Sequence, residues 1–580
     1  MNEMAVGAML LLADKAAPVT FLARDGAEIF FYAPLIGLLI AVAFLGRHQG
    51  MPWFGKMENA LARLGRRRAL SVAVVGVASM LVVLSLSGVA GVPVPKVDDE
   101  FSYLLAADTF AHGRLTNPAH PMWMHFETFH TIQQPSYASR YPPGQGLILA
   151  LGQVLAHPVI GVWLSAALAC AAICWMLMGW LTPPRWALIG GFLAILHPEI
   201  LFWSQRYWGG SVTLAGGALA LGGFRRLLSD HRDQHFRPRV RDAALMSVGM
   251  SILIICRPYE GGVLILILLT ILIIALFVQK KRSLDAVMAR VGWPIAVGLI
   301  ITIGWMGYYN WRVTRDPFRM PQQVYVATYN AAPVFLWQEP PSPPAYHHKQ
   351  MQDFHMGWEL RHYTKQGSFG GLVGGVLGRF LRLVRGDLRL WPLLLAFAAI
   401  PWAFKSRWIQ LALLIWLLFT AALLQVTWTF FHYAAPAFGL FFVLAVQSLR
   451  HLRLWHWHGK PVGLFLARGC LVLSVLSIPH TFWSVAQQNR YVRRNQIISR
   501  LQHEGGKHLI VVHYDPSDNN SVEWVYNAAD IDNSQIVWAR ELDAAQDREL
   551  LNYFKDRRPW LLQVSRRSTH LVPYSSSSNL

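Results

Sequence analysis

Much of the chain shows neither the two-residue alternation of a half-buried strand nor the single apolar stripe of a surface helix. It is instead apolar on all sides over long runs, at about 29–45, 70–91, 158–181, 186–203, 211–224, 243–256, 262–278, 293–310, 388–404, 408–425, 430–447 and 464–483. About 20 apolar residues match the hydrocarbon thickness of a bilayer, so these runs predict some twelve membrane-spanning helices. The runs around 211 and 243 are the shortest. Between them lie polar segments of very unequal length, the long ones being 92–157, 311–387 and the tail 484–580.

Two weaker patterns fall inside the first long segment. Residues 144–156 are apolar but too short to span, and a crossing there would reverse the side of the basic loop at 225–242. They predict a re-entrant or interfacial helix. Residues 101–112, with Phe101, Leu104, Leu105 and Phe110 among polar neighbours, predict a second. In the tail, 509–513, 535–538 and 559–564 read as strands, with helices at 521–529 and 543–554 between them. That order predicts a small, mostly parallel α/β domain. The serine-rich stretch 575–578 reads as disordered.

Composition agrees: 54% of the 580 residues are hydrophobic and only 14% charged, which excludes a string of soluble domains. The expected fold class is a mostly α polytopic transmembrane bundle. The segment 1–28 lies outside, the core occupies 29–483, and 484–580 form an extracytoplasmic α/β domain. The net charge of +20 suggests a nucleic-acid partner until its distribution is read. Arg47, Lys56, Arg63, Arg66, Arg67 and Arg68 share one short loop, and Arg225, Arg226, Arg232, Arg237, Arg239 and Arg241 another. Lys280, Lys281 and Arg282 form a third group, and Arg450, Arg453 and Lys460 a fourth. Cytoplasmic loops carry such excesses, so the charge reports topology and puts both termini outside. Cys170, Cys174, Cys256 and Cys470 all fall in apolar runs, where they imply packing rather than a disulfide framework. No cleavable signal peptide is apparent.

The chemistry begins where the run 70–91 leaves the membrane, at Val97-Asp98-Asp99-Glu100-Phe101-Ser102-Tyr103. Anchoring positions favour aromatic and basic residues, so three carboxylates there suggest a site. Basic residues that break the positive-inside rule fall at the same depth: Arg140 before Tyr141-Pro142-Pro143, Arg206 before Tyr207, and Arg257 before Pro258-Tyr259-Glu260. His432-Tyr433 opens the run 430–447 on the same side. An arginine fork beside tyrosine and glycine suits a phosphate. Plainer roles are open for each: Asp98, Asp99 and Glu100 as helix N-terminal charges, Arg257 as a snorkelling anchor, and the tyrosines as belt aromatics. His347, His348 and His355 lack a regular metal-ligand spacing and read as solvated loop residues.

Asp99-Glu100-Phe101-Ser102-Tyr103 reproduces a D-E-x-x-Y pattern at the start of the first large outer loop. In this the chain resembles the GT-C class of membrane glycosyltransferases, in the branch of protein O-mannosyltransferases and lipid A aminoarabinose transferases (family 39-like). That family continues into a juxtamembrane helix ending in glycine, as 104–113 does, and places a basic residue and proline before a second one. Here Tyr141 separates Arg140 from proline, and the run 29–45 precedes the family's usual first span.

The resemblance implies a sugar transferred, with inversion, from a polyprenyl-phosphate donor to an acceptor hydroxyl, which a glycan, lipid or protein presents at the periplasmic face of an inner membrane. It casts Asp99 as general base. Glu100 would orient the acceptor or hold a divalent cation, metal dependence being open. Arg140, Arg206 and Arg257 would receive the donor phosphate, with Asp98, Tyr103, Tyr141, Tyr207, Tyr259, Glu260, His432 and Tyr433 around it. Membrane lipid is the other expected partner, and nucleic acid is not expected. The alternatives are a transporter or flippase of a lipid-linked or anionic solute, and a non-catalytic scaffold whose tail binds a partner.

Overall fold

The computed structural model describes residues 17–45, 52–228, 238–278, 284–489, 493–515, 523–565 and 568–574. Six helices in it are long and apolar enough to cross a membrane: Arg68–Ala90, Pro158–Trp180, Pro258–Leu276, Met288–Thr314, Phe431–Leu452 and Val462–Gln488. Shorter apolar helices cover Phe31–Leu45, Pro143–Leu155, Pro184–Leu196 and Arg407–Leu423, and the weak runs become Gly210–Leu227 and Val240–Cys256. The chain is a polytopic, mostly helical membrane protein.

Burial sorts these helices. Phe431–Leu452 is 89% buried and forms the axis of the bundle, whereas Met288–Thr314 is 22% buried and faces outward with Trp293, Ile300, Ile301 and Ile303. Helices in lipid gain little from hydrophobic exclusion and associate through small residues that let backbones meet. Gly217 does this: a Cβ there has no room against the backbone of Pro436.

Two expected spans are not continuous helices. The run 186–203 breaks at His197-Pro198 into Pro184–Leu196 and Pro198–Trp203, because Pro198 has no N–H to continue the ladder. The run 388–404 breaks into Trp391–Leu393, Leu394–Phe397 and Ile400–Ala403, two of which begin beside a proline.

Both expected short helices form, over Asp98–Ala111 and Pro143–Leu155. The second keeps an apolar row exposed: Leu147, Leu151, Val154 and Leu155. Gly144 at its start lies against the C-terminal end of Val240–Cys256, where a Cβ would come within 2.9 Å of the Ile255 backbone oxygen. Between the two helices run three short antiparallel strands, β1 (Asn117–Pro118), β2 (Thr131–Ile132) and β3 (Ser136–Ser139), in the order β1-β3-β2.

The tail forms a sheet of β4 (His508–Tyr514), β5 (Ile536–Arg540), β6 (Arg558–Val564) and β7 (Thr569–Pro573), ordered β5-β4-β6-β7. β4 pairs in parallel with β5 and β6, and β7 adds an antiparallel edge that the sequence pattern did not suggest. The helix expected at 543–554 is there as Ala544–Tyr553. The one expected at 521–529 is not, residues 523–529 being irregular. Glu523 explains this: its carboxylate accepts from the backbone N–H of Trp524 at 2.9 Å and of Val525 at 2.8 Å, and pairs with the buried Arg540. A side chain thus takes the place of helical backbone pairing. The stretch 575–578 lies outside the described residues. The tail packs on the first loop through Leu105, Phe126 and Tyr137, and residues of the 311–387 segment pack beside it on Phe129 and Ile132. All three polar segments therefore gather on one face.

Candidate active site

The Asp98–Ala111 helix opens with its three acidic residues in the first turn, where the N-terminal dipole favours negative charge. Their side chains diverge to three destinations. Glu100 turns into the protein and is wholly buried. It accepts from Lys96 N at 2.8 Å and Tyr207 N at 3.0 Å, and lies 3.5 Å from Arg206. Tyr207 donates its hydroxyl to the Pro93 carbonyl at 2.8 Å. Glu100, Arg206 and Tyr207 therefore tie the helix to the loop after Trp203.

Asp98 turns toward the tail, where it accepts from the Tyr526 hydroxyl at 2.7 Å. The Tyr526 ring stacks on Phe101 with centroids 4.1 Å apart, and Arg494 holds the Tyr526 carbonyl at 2.8 Å. Burial, helped by Asp99 and Glu523 and opposed by Tyr526 and Arg140, pushes the Asp98 carboxyl up to about 7.

Asp99 faces the space between the two short helices. His130 Nδ1 lies 2.6 Å from its Oδ1, and the Tyr141 hydroxyl donates to the same oxygen. Burial alone would raise this carboxyl, but the His130 and Tyr141 contacts and the Arg140 charge outweigh it and hold it well below the usual carboxylate range. Burial and Arg140 push His130 down to about 4 despite Asp99. The 2.6 Å contact puts a proton on Nδ1, which donates to the carboxylate. His130 has a left-handed backbone (φ 59), a strained conformation of the kind that collects at functional sites. Ser102 holds its carbonyl at 2.6 Å.

Arg140 donates to the Tyr141 hydroxyl at 3.0 Å, and its guanidinium lies over two rings, Tyr141 at 4.9 Å and Tyr325 at 4.7 Å. Behind it, Tyr325 meets His355 Nε2 at 3.3 Å, and His355 Nδ1 meets Glu359 at 2.6 Å. Tyr103 stacks on the other side of Tyr141 at 4.5 Å and leads to a second cation. Arg257 interacts electrostatically with Tyr103 and Tyr141, lies over Tyr433 at 4.6 Å, and pairs with Glu260 at 3.7 Å. His432 stacks on Trp208 at 5.1 Å.

The structure thus brings together Asp99, Arg140, Tyr141 and Tyr103, with Arg257, Glu260 and Tyr433 beside them. It puts Arg206, Tyr207 and Glu100 in a separate buried lock. Tyr259 points elsewhere, donating to the Ala422 carbonyl at 3.0 Å. His130, Tyr325 and Glu359 were missed in the sequence. Of the histidines read as solvated, His347 is half-exposed, but His348 and His355 are buried: His348 meets Glu127 of the first loop at 3.3 Å, and His355 meets Glu359 one turn further along its own segment. Among the described residues no group of three or more His, Cys, Asp or Glu side chains could hold a metal ion.

No family model matches the sequence, and none of the curated proteins does. Among solved structures the chain is similar to ArnT from Cupriavidus metallidurans in the apo state, with a TM-score of 0.52 and 13% identity over 85% of this chain and 92% of that one. The same protein bound to undecaprenyl phosphate gives a TM-score of 0.51, again at 13% identity and the same coverage. The fold is GT-C-like. At this identity the likeness speaks for the fold alone, and the residues above carry the rest.

Proposed function

We propose that the protein is an integral-membrane glycosyltransferase that moves a sugar from a polyprenyl-phosphate donor to an acceptor hydroxyl, at the outer, periplasmic face. The observation that carries the reading is Asp99, an ionised carboxylate in the first turn of the Asp98–Ala111 helix, with Arg140 beside it and Arg257 across Tyr103 and Tyr141. In this reading the isoprenoid lies among the membrane helices and the arginines receive the phosphate, where their charge stabilises the leaving group as it gains charge. The bound state of undecaprenyl phosphate on a protein of this fold supports the donor class.

Asp99 accepts the proton of the attacking hydroxyl. A carboxylate held this low is a weak base, so the transfer comes late, when bond formation to the anomeric carbon has made the hydroxyl acidic. One observation favours a variant of this scheme. His130 donates from Nδ1 to Asp99, and among the described residues its Nε2 makes no hydrogen bond. In that variant Nε2 takes the proton and Asp99 orients the ring. Glu100 anchors the helix through the Lys96 and Tyr207 N–H groups and Arg206.

The test is a radiolabel assay: purified protein in detergent receives undecaprenyl-phosphate sugars one at a time, with envelope extract as acceptor. Label leaving the carrier for a new product, with wild-type but not Asp99→Asn protein, supports the reading. Donor recovered unmodified on the other side of a proteoliposome membrane would establish transport instead. Activity of His130→Gln at high pH, in the absence of activity for Asp99→Asn, removes the histidine variant.

A further inference from the structure

The guanidinium of Arg140 is held by ring faces more than by bonds. Among the described residues it makes one hydrogen bond, to the Tyr141 hydroxyl, and no ion pair. Its Nε, shut off from solvent, makes no hydrogen bond at all. An arginine side chain carries about 2 kcal/mol of rotamer entropy, so a group held in this way points where its rings allow. One ring, Tyr141, is fixed by its bond to Asp99 and its stack on Tyr103. The other, Tyr325, is fixed from behind.

Tyr325 is wholly buried, and its hydroxyl lies 3.3 Å from His355 Nε2. His355 Nδ1 in turn lies 2.6 Å from a Glu359 oxygen. That short contact puts a proton on Nδ1, and Nε2 faces the hydroxyl whether the hydroxyl gives the bond or receives it. The His355 ring, also wholly buried, stacks on Tyr329 at 6.3 Å and on Tyr346 at 6.0 Å, which keep it from turning. Tyr325 also meets the other partner of Asp99, with the His130 ring edge-on to it at 5.9 Å. A chain of contacts thus runs from Glu359 through His355 and Tyr325 to both neighbours of the Asp99 carboxylate.

Two features set this chain apart from ordinary packing. Glu359 is only 5% exposed, and among the described residues His355 is its one hydrogen-bond and ion-pair partner. A buried carboxylate with a single partner returns little stability for its desolvation. In addition, His355 and Glu359 both lie on Asp353–Glu359, which winds as a π-helix, a rare form that recurs at functional sites.

We infer that Glu359, His355 and Tyr325 are positioning residues for Arg140. Glu359 aims the His355 ring, His355 holds the Tyr325 hydroxyl, and the face of Tyr325 sets the guanidinium toward the donor phosphate. The inference rests on the transferase reading for the phosphate as the ligand of Arg140, and it makes the 311–387 segment part of the donor site.

Equilibrium binding of tritiated undecaprenyl phosphate to the full-length protein in detergent tests it, with Tyr325→Phe, Glu359→Leu and the double variant. Tyr325→Phe keeps the ring and removes the hydroxyl, and Glu359→Leu removes the group that aims His355. Both cut the same chain, so each should weaken binding about tenfold and the double variant no further, whereas independent effects would multiply to about a hundredfold. In the label assay the donor KM should rise by the same factor, with the acceptor KM unaltered. Thermal melting separates aim from folding. A Tyr325→Phe protein that binds like wild type overturns the chain, as does a multiplied loss in the double variant, or a lowered melting temperature with binding intact. If Glu359→Leu does not fold, the binding of Tyr325→Phe at wild-type melting temperature decides alone. Wild type that binds undecaprenyl phosphate and shows this variant pattern, but transfers no label, keeps the chain and removes the transferase. Label transfer with an unaltered donor KM in every variant removes the chain and keeps the transferase. Wild type that does not bind undecaprenyl phosphate also removes the chain.

Discussion

Asp99 and Glu100 are adjacent carboxylates with opposite expected behaviour, and the pair Asp99→Asn and Glu100→Gln separates chemistry from structure. Glu100 is wholly buried and makes two short bonds to backbone N–H groups, from Lys96 and Tyr207, on different oxygens. A glutamine keeps one oxygen, so one of the two N–H groups would face an NH2, and Arg206 would lose its counter-charge. A lost bond to a buried charged group costs about 1.5–3 kcal/mol, and an uncompensated buried partner about 3–5 kcal/mol. Glu100→Gln is therefore expected to lose several kcal/mol of stability. Asn at position 99 keeps an oxygen for the Tyr141 and His130 donors, so folding is nearly unaffected. Its loss appears in turnover, at about 10²–10⁴-fold for a missing general base. Thermal melting in detergent, read with label transfer on the same samples, checks both. The reasoning fails if Glu100→Gln melts like wild type, or if Asp99→Asn retains near-normal turnover.

Three further outcomes follow from the same geometry. Arg257→Ala should raise the donor KM far more than the acceptor KM, and equal losses in steady-state kinetics would count against a phosphate role. Asp98 has its pKa raised on docking to about 7, so the stability it lends to tail docking is complete below the free carboxyl value near 4 and is lost as pH rises through 7. Hydrogen exchange of residues 523–529 should thus be faster at pH 8 than at pH 5.5 (about 1 unit above and about 1.5 units below the raised value) beyond the intrinsic chemical rate, and Asp98→Asn should abolish the excess. Gly144→Ala puts a methyl group 2.9 Å from the Ile255 backbone oxygen. It should displace the Arg140-Tyr141 turn and reduce turnover in the label assay, without loss of the protein from the membrane fraction.

What could be read in the sequence was whatever a bilayer makes costly. Carboxylates just past an apolar run and arginines outside the basic loops stand out against the usual charge pattern of a polytopic chain, and Asp99, Arg140 and Arg257 were singled out that way. The helices Asp98–Ala111 and Pro143–Leu155 followed from apolar runs too short to cross. What remained hidden depends on distance along the chain. His130 meets Asp99 from a left-handed loop residue with no periodicity around it. Tyr325, His355 and Glu359 come from a segment of broken helical turns whose sequence has no consistent period. Hydropathy counts apolar side chains but not backbone continuity, so it could not see that prolines divide 186–203 and 388–404. In the tail, the charge of Glu523 overrode local helix preference, and its partner Arg540 sits at the end of β5.

The stack of Tyr526 on Phe101, with its hydroxyl on Asp98, has an evolutionary consequence. The tail grips the two residues that flank Asp99-Glu100, so a tail exchanged between relatives would arrive with the wrong counterpart for the opening turn of that helix. The heritable unit is then a discontinuous one: residues 98–101 and 523–529 would have to be transplanted together, and in a set of homologues their substitutions should coincide even though more than four hundred positions separate them.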